Sequence, residues 1–125
     1  MWRHGLRLAG VLCFSKYQLR HARTRFCLQG VAEIHHVIPR ACAAHPSLRA
    51  VGFEVEDEAN FVLMPNVAGA RLLNLRADRP IHHGHPRYNA YVCSRLDAVE
   101  TANDMNGLLV HLHRAMRKTQ ADVPW

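Results

Sequence analysis

Ten histidines stand in this 125-residue chain. Five of them fall in two tight groups: His35 and His36 inside AEIHHVIP, and His82, His83 and His85 inside PIHHGHP. Imidazole is the commonest protein metal ligand and also a base near neutral pH. Two adjacent histidines can therefore divide one task, the first holding a divalent ion and the second taking a proton from water. Successive residues of a strand face opposite ways, so His35 and His36 approach one site only where a strand ends. In the second group Gly84 bends the backbone, and Pro86 stands where a helix would begin. A helix start presents free N–H groups that attract phosphate, so a metal ligand there suits a phosphodiester. Any one of these histidines, taken singly, reads more simply as a satisfied core or surface residue. The constellation His35-His36, Asn60, His85 is what argues for a site, although its spacing carries no unique metal signature.

The elements that must position these residues follow from periodicity. Residues 32–39 read as a short strand that Pro39 ends. Residues 40–51 read as a helix or helical turn with Gly52 as its cap. Phe53-Glu54-Val55-Glu56 alternates apolar and polar and predicts a second strand; residues 57–60 have turn chemistry. Residues 61–64 (FVLM) predict a strand that Pro65 stops, and residues 66–80 read as mainly irregular, with a helical turn possible over residues 71–75. A helical stripe then runs through Tyr88, Tyr91, Val92, Leu96 and Val99, and a second through Met105, Leu108, Leu109, Leu112 and Met116, with Asp104 as a candidate cap. Short strands followed by helices predict the α+β class.

Charge is unevenly spread. Residues 1–53 carry eight basic residues and one acid, Glu33, against eight basic and nine acidic residues in 54–125; the whole excess of +6 lies in the first half. Nearly all of it is Arg, whose planar fork matches phosphate oxygens. A basic arm points to a polyanion such as nucleic acid, or equally to a solvated face or a targeting segment. Residues 6–23 predict a basic amphipathic helix that packs on the domain or on a phosphate backbone; the apolar stretch Leu8–Phe14 behind a basic start leaves a secretory or transit segment as the alternative. Cys13, Cys27, Cys42 and Cys93 form no CxxC pair, which excludes a zinc-ribbon pattern and predicts free, buried thiols rather than a disulfide scaffold. No apolar run approaches the ~20 residues of a membrane-spanning helix.

Three segments, EIHHVIPR, EANFVLMPN and PIHHGHPRYNAYV, occur in the order seen in the AHH nucleases, which they resemble over about residues 32–100. The AHH nucleases are a branch of the HNH/endonuclease VII superfamily. The chain departs from their pattern in two places: Glu33-Ile34 replaces the Ala before the histidine pair, and Gly84 abuts His85 where the family spaces them by one residue. The resemblance implies a ββα-metal (His-Me finger) core over residues 32–101, a basic N-terminal arm over 1–31 and a C-terminal helix over 102–125. It implies His35 as first metal ligand and His36 as the general base. It implies Asn60 as the residue that holds the loop and orients that base. His85 becomes the second metal ligand with His82 as second choice, His83 staying open, and Arg40, Arg87 and Tyr88 become phosphate contacts. The implied activity is metal-dependent hydrolysis of DNA or RNA with low sequence specificity, around one divalent ion (Mg, Mn, Ni or Zn). As a toxin effector the chain would have an immunity protein for a partner. Two other readings stay open: a catalytically degenerate nucleic-acid-binding module of the same fold, and a small fold stabilised by a structural metal.

Overall fold

The structure is a computed structural model that describes residues 14–76, 80–82, 84–117 and 123–125. The elements run α1 (Lys16–Arg25), β1 (Ala32–His36), a 3-10 turn (Arg40–Cys42), α2 (Pro46–Val51), a second 3-10 turn (Glu58–Asn60), β2 (Phe61–Pro65), α3 (Val67–Leu72), α4 (Pro86–Leu96) and α5 (Ala102–Arg117). This is an α+β fold with one two-stranded antiparallel sheet. Its register pairs Ala32 with Pro65, His35 with Val62 and His36 with Phe61.

Each boundary has a local cause. Ser15 opens α1 through a capping box with Gln18; the part of the expected basic helix before residue 14 lies outside the described residues. The expected continuous helix over residues 40–51 is split, because Pro46 has no N–H to continue one and instead starts α2 at its first turn. Gly52 closes α2 in the left-handed conformation (φ 73°). The predicted strand over residues 53–56 is not formed. Phe53 N–H returns to the Leu48 carbonyl and Asp57 N–H to that of Glu54, so the segment is spent on a helix cap and a turn. Residues 66–76, expected as irregular, contain α3, which starts because the Asn66 side chain accepts from the Gly69 N–H. The same Asn66 amide donates to the Gly30 carbonyl, tying α3 to the start of β1. At α5 the cap is Thr101 rather than Asp104. Thr101 Oγ1 accepts from Asp104 N–H while Asp104 accepts from the N–H groups of Glu100 and Thr101, and those two bonds hold the Asp104 carboxyl below its usual range.

One core takes Val37 and Ile38 after β1, Leu48 and Val51 of α2, Met64 of β2, Val92 and Leu96 of α4, and Met105, Leu109 and Leu112 of α5. Cys42 and Cys93 meet inside it as a disulfide, Cα atoms 5.6 Å apart. That corrects the expectation of free buried thiols: the two residues are distant in sequence and adjacent only once the first 3-10 turn packs on α4. Cys27 is free and exposed. Among the described residues no helix is long and apolar enough to cross a membrane.

Gly69 shows how closely α3 seats on this frame. A Cβ there would lie 2.0 Å from the Val31 carbonyl oxygen, which is backbone and cannot swing aside. Gly69→Ala is therefore expected to cost about 1–3 kcal/mol, read as a lower urea midpoint at unchanged slope.

His113 gives the fold a pH dependence. It is wholly buried on α5, and its Nε2–H donates to the Ala59 carbonyl. Burial lowers its pKa, the carbonyl opposes that, and Arg117 one turn on lowers it further. The unfolded chain therefore binds a proton that the folded chain refuses between pH 6.5 and the lowered value. Stability is complete above pH 6.5 and falls as pH drops through that window, by at most about 1.4 kcal/mol per pH unit. His113→Gln keeps a donor for Ala59 and does not titrate. Its urea midpoint is expected to fall less between pH 7.5 and 5 than that of the wild type; equal slopes would exclude His113 as a source.

Candidate active site

β1 ends at His36, and the reason lies in Asn60. This fully buried side chain accepts the Ile38 N–H (2.6 Å) and donates to the carbonyls of Ile38 (3.0 Å) and Val55 (2.8 Å). It thus takes the backbone groups that a longer β1 would pair with β2. The Asn60 carbonyl accepts from Val37 N–H, so the chain leaving β1 is fixed to the chain entering β2.

The two histidines before this clamp point to different neighbours, as strand alternation requires. His35 is 3 % exposed. Its ring lies 4.9 Å from that of His85 and 5.5 Å from that of His82, centroid to centroid, with Tyr88 at 6.0 Å. Burial, and then the repulsion from His85, His82 and His36 that a charge would feel, bring its pKa down to about 3. It is a neutral imidazole at physiological pH. Its Nε2 is buried without a hydrogen-bond partner, a state that costs about 1–3 kcal/mol when nothing fills it.

His85 caps the start of α4, just before Pro86. Its Nδ1 lies 2.9 Å from the Asn89 amide oxygen, one turn along the helix. That oxygen only accepts, so Nδ1 donates and Nε2 is the ring nitrogen left for a ligand, an arrangement typical of ligating histidines. His82 lies in the same cluster, its ring 6.4 Å from His85, and its backbone N–H is bound to the Pro65 carbonyl. His83 lies outside the described residues. Among the described residues no three His, Cys, Asp or Glu side chains converge on one ion. The donor set is thus the orphaned Nε2 of His35 and the Nε2 of His85, whose Nδ1 is committed to Asn89. That set fits a divalent metal bound by few protein groups with positions left open.

On the other side of β1, His36 stacks edge-on against Phe61, its cross-strand partner, at 5.0 Å. Its Nε2–H donates to Glu56 Oε1 at 2.8 Å. Glu56 also receives Arg40 at 3.2 Å and Lys16 at 3.4 Å. The His36 bond first, and the Lys16 charge after it, hold the Glu56 carboxyl down to about 2. It is an anion at any working pH. With Nε2–H committed to it, His36 Nδ1 is the nitrogen left to accept a proton.

The three expected phosphate contacts separate. Arg87 is exposed at the start of α4, and Arg40 is exposed but engaged by Glu56. Tyr88 is fully buried and its hydroxyl donates to the Val37 carbonyl, so it braces β1 against α4 instead of reaching outward. Burial also raises its pKa well above the usual value. Three residues of the site carry no mark in the sequence pattern. Glu56 belongs to the alternation that suggested a strand. Asn89 stands four residues after His85, a spacing that reads as a pair once the helix start is placed. Trp125, whose ring lies 4.9 Å from His85 and 5.5 Å from His35, has no local signal at all.

No curated protein and no solved structure matches the chain. A family model does: AHH, described as a nuclease family of the HNH/ENDO VII superfamily with conserved AHH, matches residues 20–122. That span includes the histidine pair, the Asn60 clamp and the His82–His85 cluster, and with them the chain belongs to the AHH nucleases of the HNH/ENDO VII superfamily.

Proposed function

We propose that this chain is a metal-dependent nuclease that hydrolyses phosphodiester bonds of DNA or RNA with low sequence specificity, built on a ββα-metal core made of β1, β2 and α4. The observation that carries the reading is the division of labour at the end of β1. His35 offers a buried, neutral, unpartnered nitrogen on a ring 4.9 Å from that of His85, while His36 next to it is held by a carboxylate.

In this mechanism His35 and His85 would hold one divalent ion, with His82 as second choice. When bound, the ion supplies Lewis-acid stabilisation of charge on the phosphoryl and leaving oxygens. The scissile phosphate lies across the end of β1, with Arg87 positioned to meet a non-bridging oxygen. His36 Nδ1 takes the proton of the attacking water, and Glu56 stabilises the imidazolium that results. Lys16 and Arg40 keep Glu56 from swinging out. Asn60 and Tyr88 do no chemistry; they fix the backbone that aims His35 and His36. Imidazole ligands favour Zn, Ni or Mn over Mg. Among the described residues no element resembles a base-reading module, which supports low specificity. A role as a toxin effector with a cognate immunity protein is in keeping with a basic nuclease domain.

The test is cleavage of plasmid DNA and of total RNA by the purified protein with Mg²⁺, Mn²⁺, Ni²⁺ or Zn²⁺, against a chelated control. Cleavage that returns with one or more ions and vanishes on chelation is expected. Nucleic acid bound at low salt but uncut with every ion would establish the degenerate binding module instead, its affinity falling steeply with salt.

A further inference from the structure

We propose that Trp125 is a positioning residue of the histidine site, the side chain that joins the three segments supplying the metal ligands. This inference rests on the metal-site reading above.

The indole touches each contributor. Its Nε1–H donates to the Ile81 carbonyl at 2.8 Å, in the loop that leads to His82 and His85. Its ring lies 4.9 Å from His85 and 4.8 Å from Tyr88, the residues that begin α4. It lies 5.5 Å from His35 on β1. Tyr88 links α4 to the exit of β1 through the Val37 carbonyl, and Asn89 aligns His85 within its own helix. In the loop around His82, the His82 N–H is tied to the Pro65 carbonyl and the Ile81 carbonyl to Trp125.

The energetic logic is preorganisation. A two-imidazole site binds an ion well only if both rings already stand at the right separation. A large aromatic that packs on both rings and bonds the loop backbone removes that search before the ion arrives. Partners of this kind are typically worth about 10- to 100-fold in metal affinity. Val123, two residues before it, is buried in the core and holds the segment down from the other side.

The experiment is Ni²⁺ binding to the full chain, by calorimetry and by the emission of Trp125 in a Trp2→Phe background, since Trp2 is the other tryptophan. Ni²⁺ is expected to quench Trp125 emission with the calorimetric midpoint. Trp125→Ala is expected to weaken Ni²⁺ by about tenfold or more, and Trp125→Phe, which keeps the ring packing, to recover most of that. Melting curves without metal show whether Trp125→Ala still folds; if it does not, the Phe variant and the quenching decide alone. Unchanged or tighter Ni²⁺ binding by Trp125→Ala, or binding that leaves Trp125 emission unmoved, overturns the proposal while the metal site stands. A wild type with no saturable Ni²⁺ binding, or binding that His35→Ala leaves intact and that therefore lies elsewhere on the chain, overturns both.

Discussion

Replacing His36 by Ala is expected to lower the cleavage rate by about 10²- to 10⁴-fold, the usual contribution of a positioned general base, while leaving nucleic-acid affinity and thermal stability close to wild type. The reason is where the ring sits. His36 is at the last position of β1, partly exposed, packed edge-on to Phe61 and bonded outward to Glu56. It lies outside the core that Val37 and Ile38 begin, so its truncation opens no deep cavity. His35→Ala differs in kind: it removes a buried ring from a cluster of aromatic contacts, and it should cost metal affinity and stability together. Glu56→Gln is the intermediate case. It leaves a hydrogen-bonding partner for His36 but no charge to stabilise an imidazolium, so a smaller loss is expected, confined to the catalytic rate. Single-turnover cleavage of a labelled duplex, with binding measured in parallel without metal, separates these effects. A His36→Ala protein that still cuts at a tenth of the wild-type rate or better would remove His36 from the base position and make Glu56 or bulk water the next candidate.

The histidine groups were legible because their chemistry is carried by residue type and by short spacing. HH at a strand end and HP at a helix start are local facts, and the structure brings His35, His82 and His85 together from them. Asn60 was legible as a loop holder only through the resemblance; the structure gives its side chain three hydrogen bonds, to Ile38 N–H and to the carbonyls of Ile38 and Val55. Periodicity placed β2, α4 and α5, since each has an apolar face long enough to repeat. It failed at residues 53–56, where FEVE alternates as a strand does. Alternation says that one side is buried; it does not say that an edge is free to pair. Phe53 is buried by α2's return, Val55 gives its carbonyl to Asn60, and Glu56 is left outside to meet His36. Tyr88 reads ambiguously for a related reason. A tyrosine near a helix start can face phosphate or core, and only the position of Val37 decides for the core. Contacts between segments far apart in sequence, such as Trp125 on His85 or Cys42 with Cys93, leave no local trace at all.

Breaking the Cys42–Cys93 bond is expected to destabilise the fold by about 4 kcal/mol, the chain-entropy value for a cross-link spanning about 50 residues, or roughly 10–20 °C in melting temperature. The bond joins residues separated by 51 positions. Cys42 closes the turn that follows β1, and Cys93 lies on α4 two turns beyond His85. It therefore ties the strand that carries His35 and His36 to the helix that carries His85, and its loss should loosen the site as well as the fold. Other links cross the same interface, among them the Tyr88 hydroxyl on the Val37 carbonyl and His45 on Asp97 at 2.8 Å. Neither is covalent, and the second is partly exposed, where ion pairs contribute little. Urea unfolding of the oxidised protein, the reduced protein and the Cys42→Ser/Cys93→Ser double variant measures the effect directly, and peptide mapping without reductant must find the two half-cystines in one linked fragment. Serine fills the space of each thiol, so reduced and double-variant proteins should coincide. If the oxidised and reduced proteins unfold at the same urea concentration, the bond does not constrain the chain, and packing between the turn and α4 alone holds the two halves of the site in register.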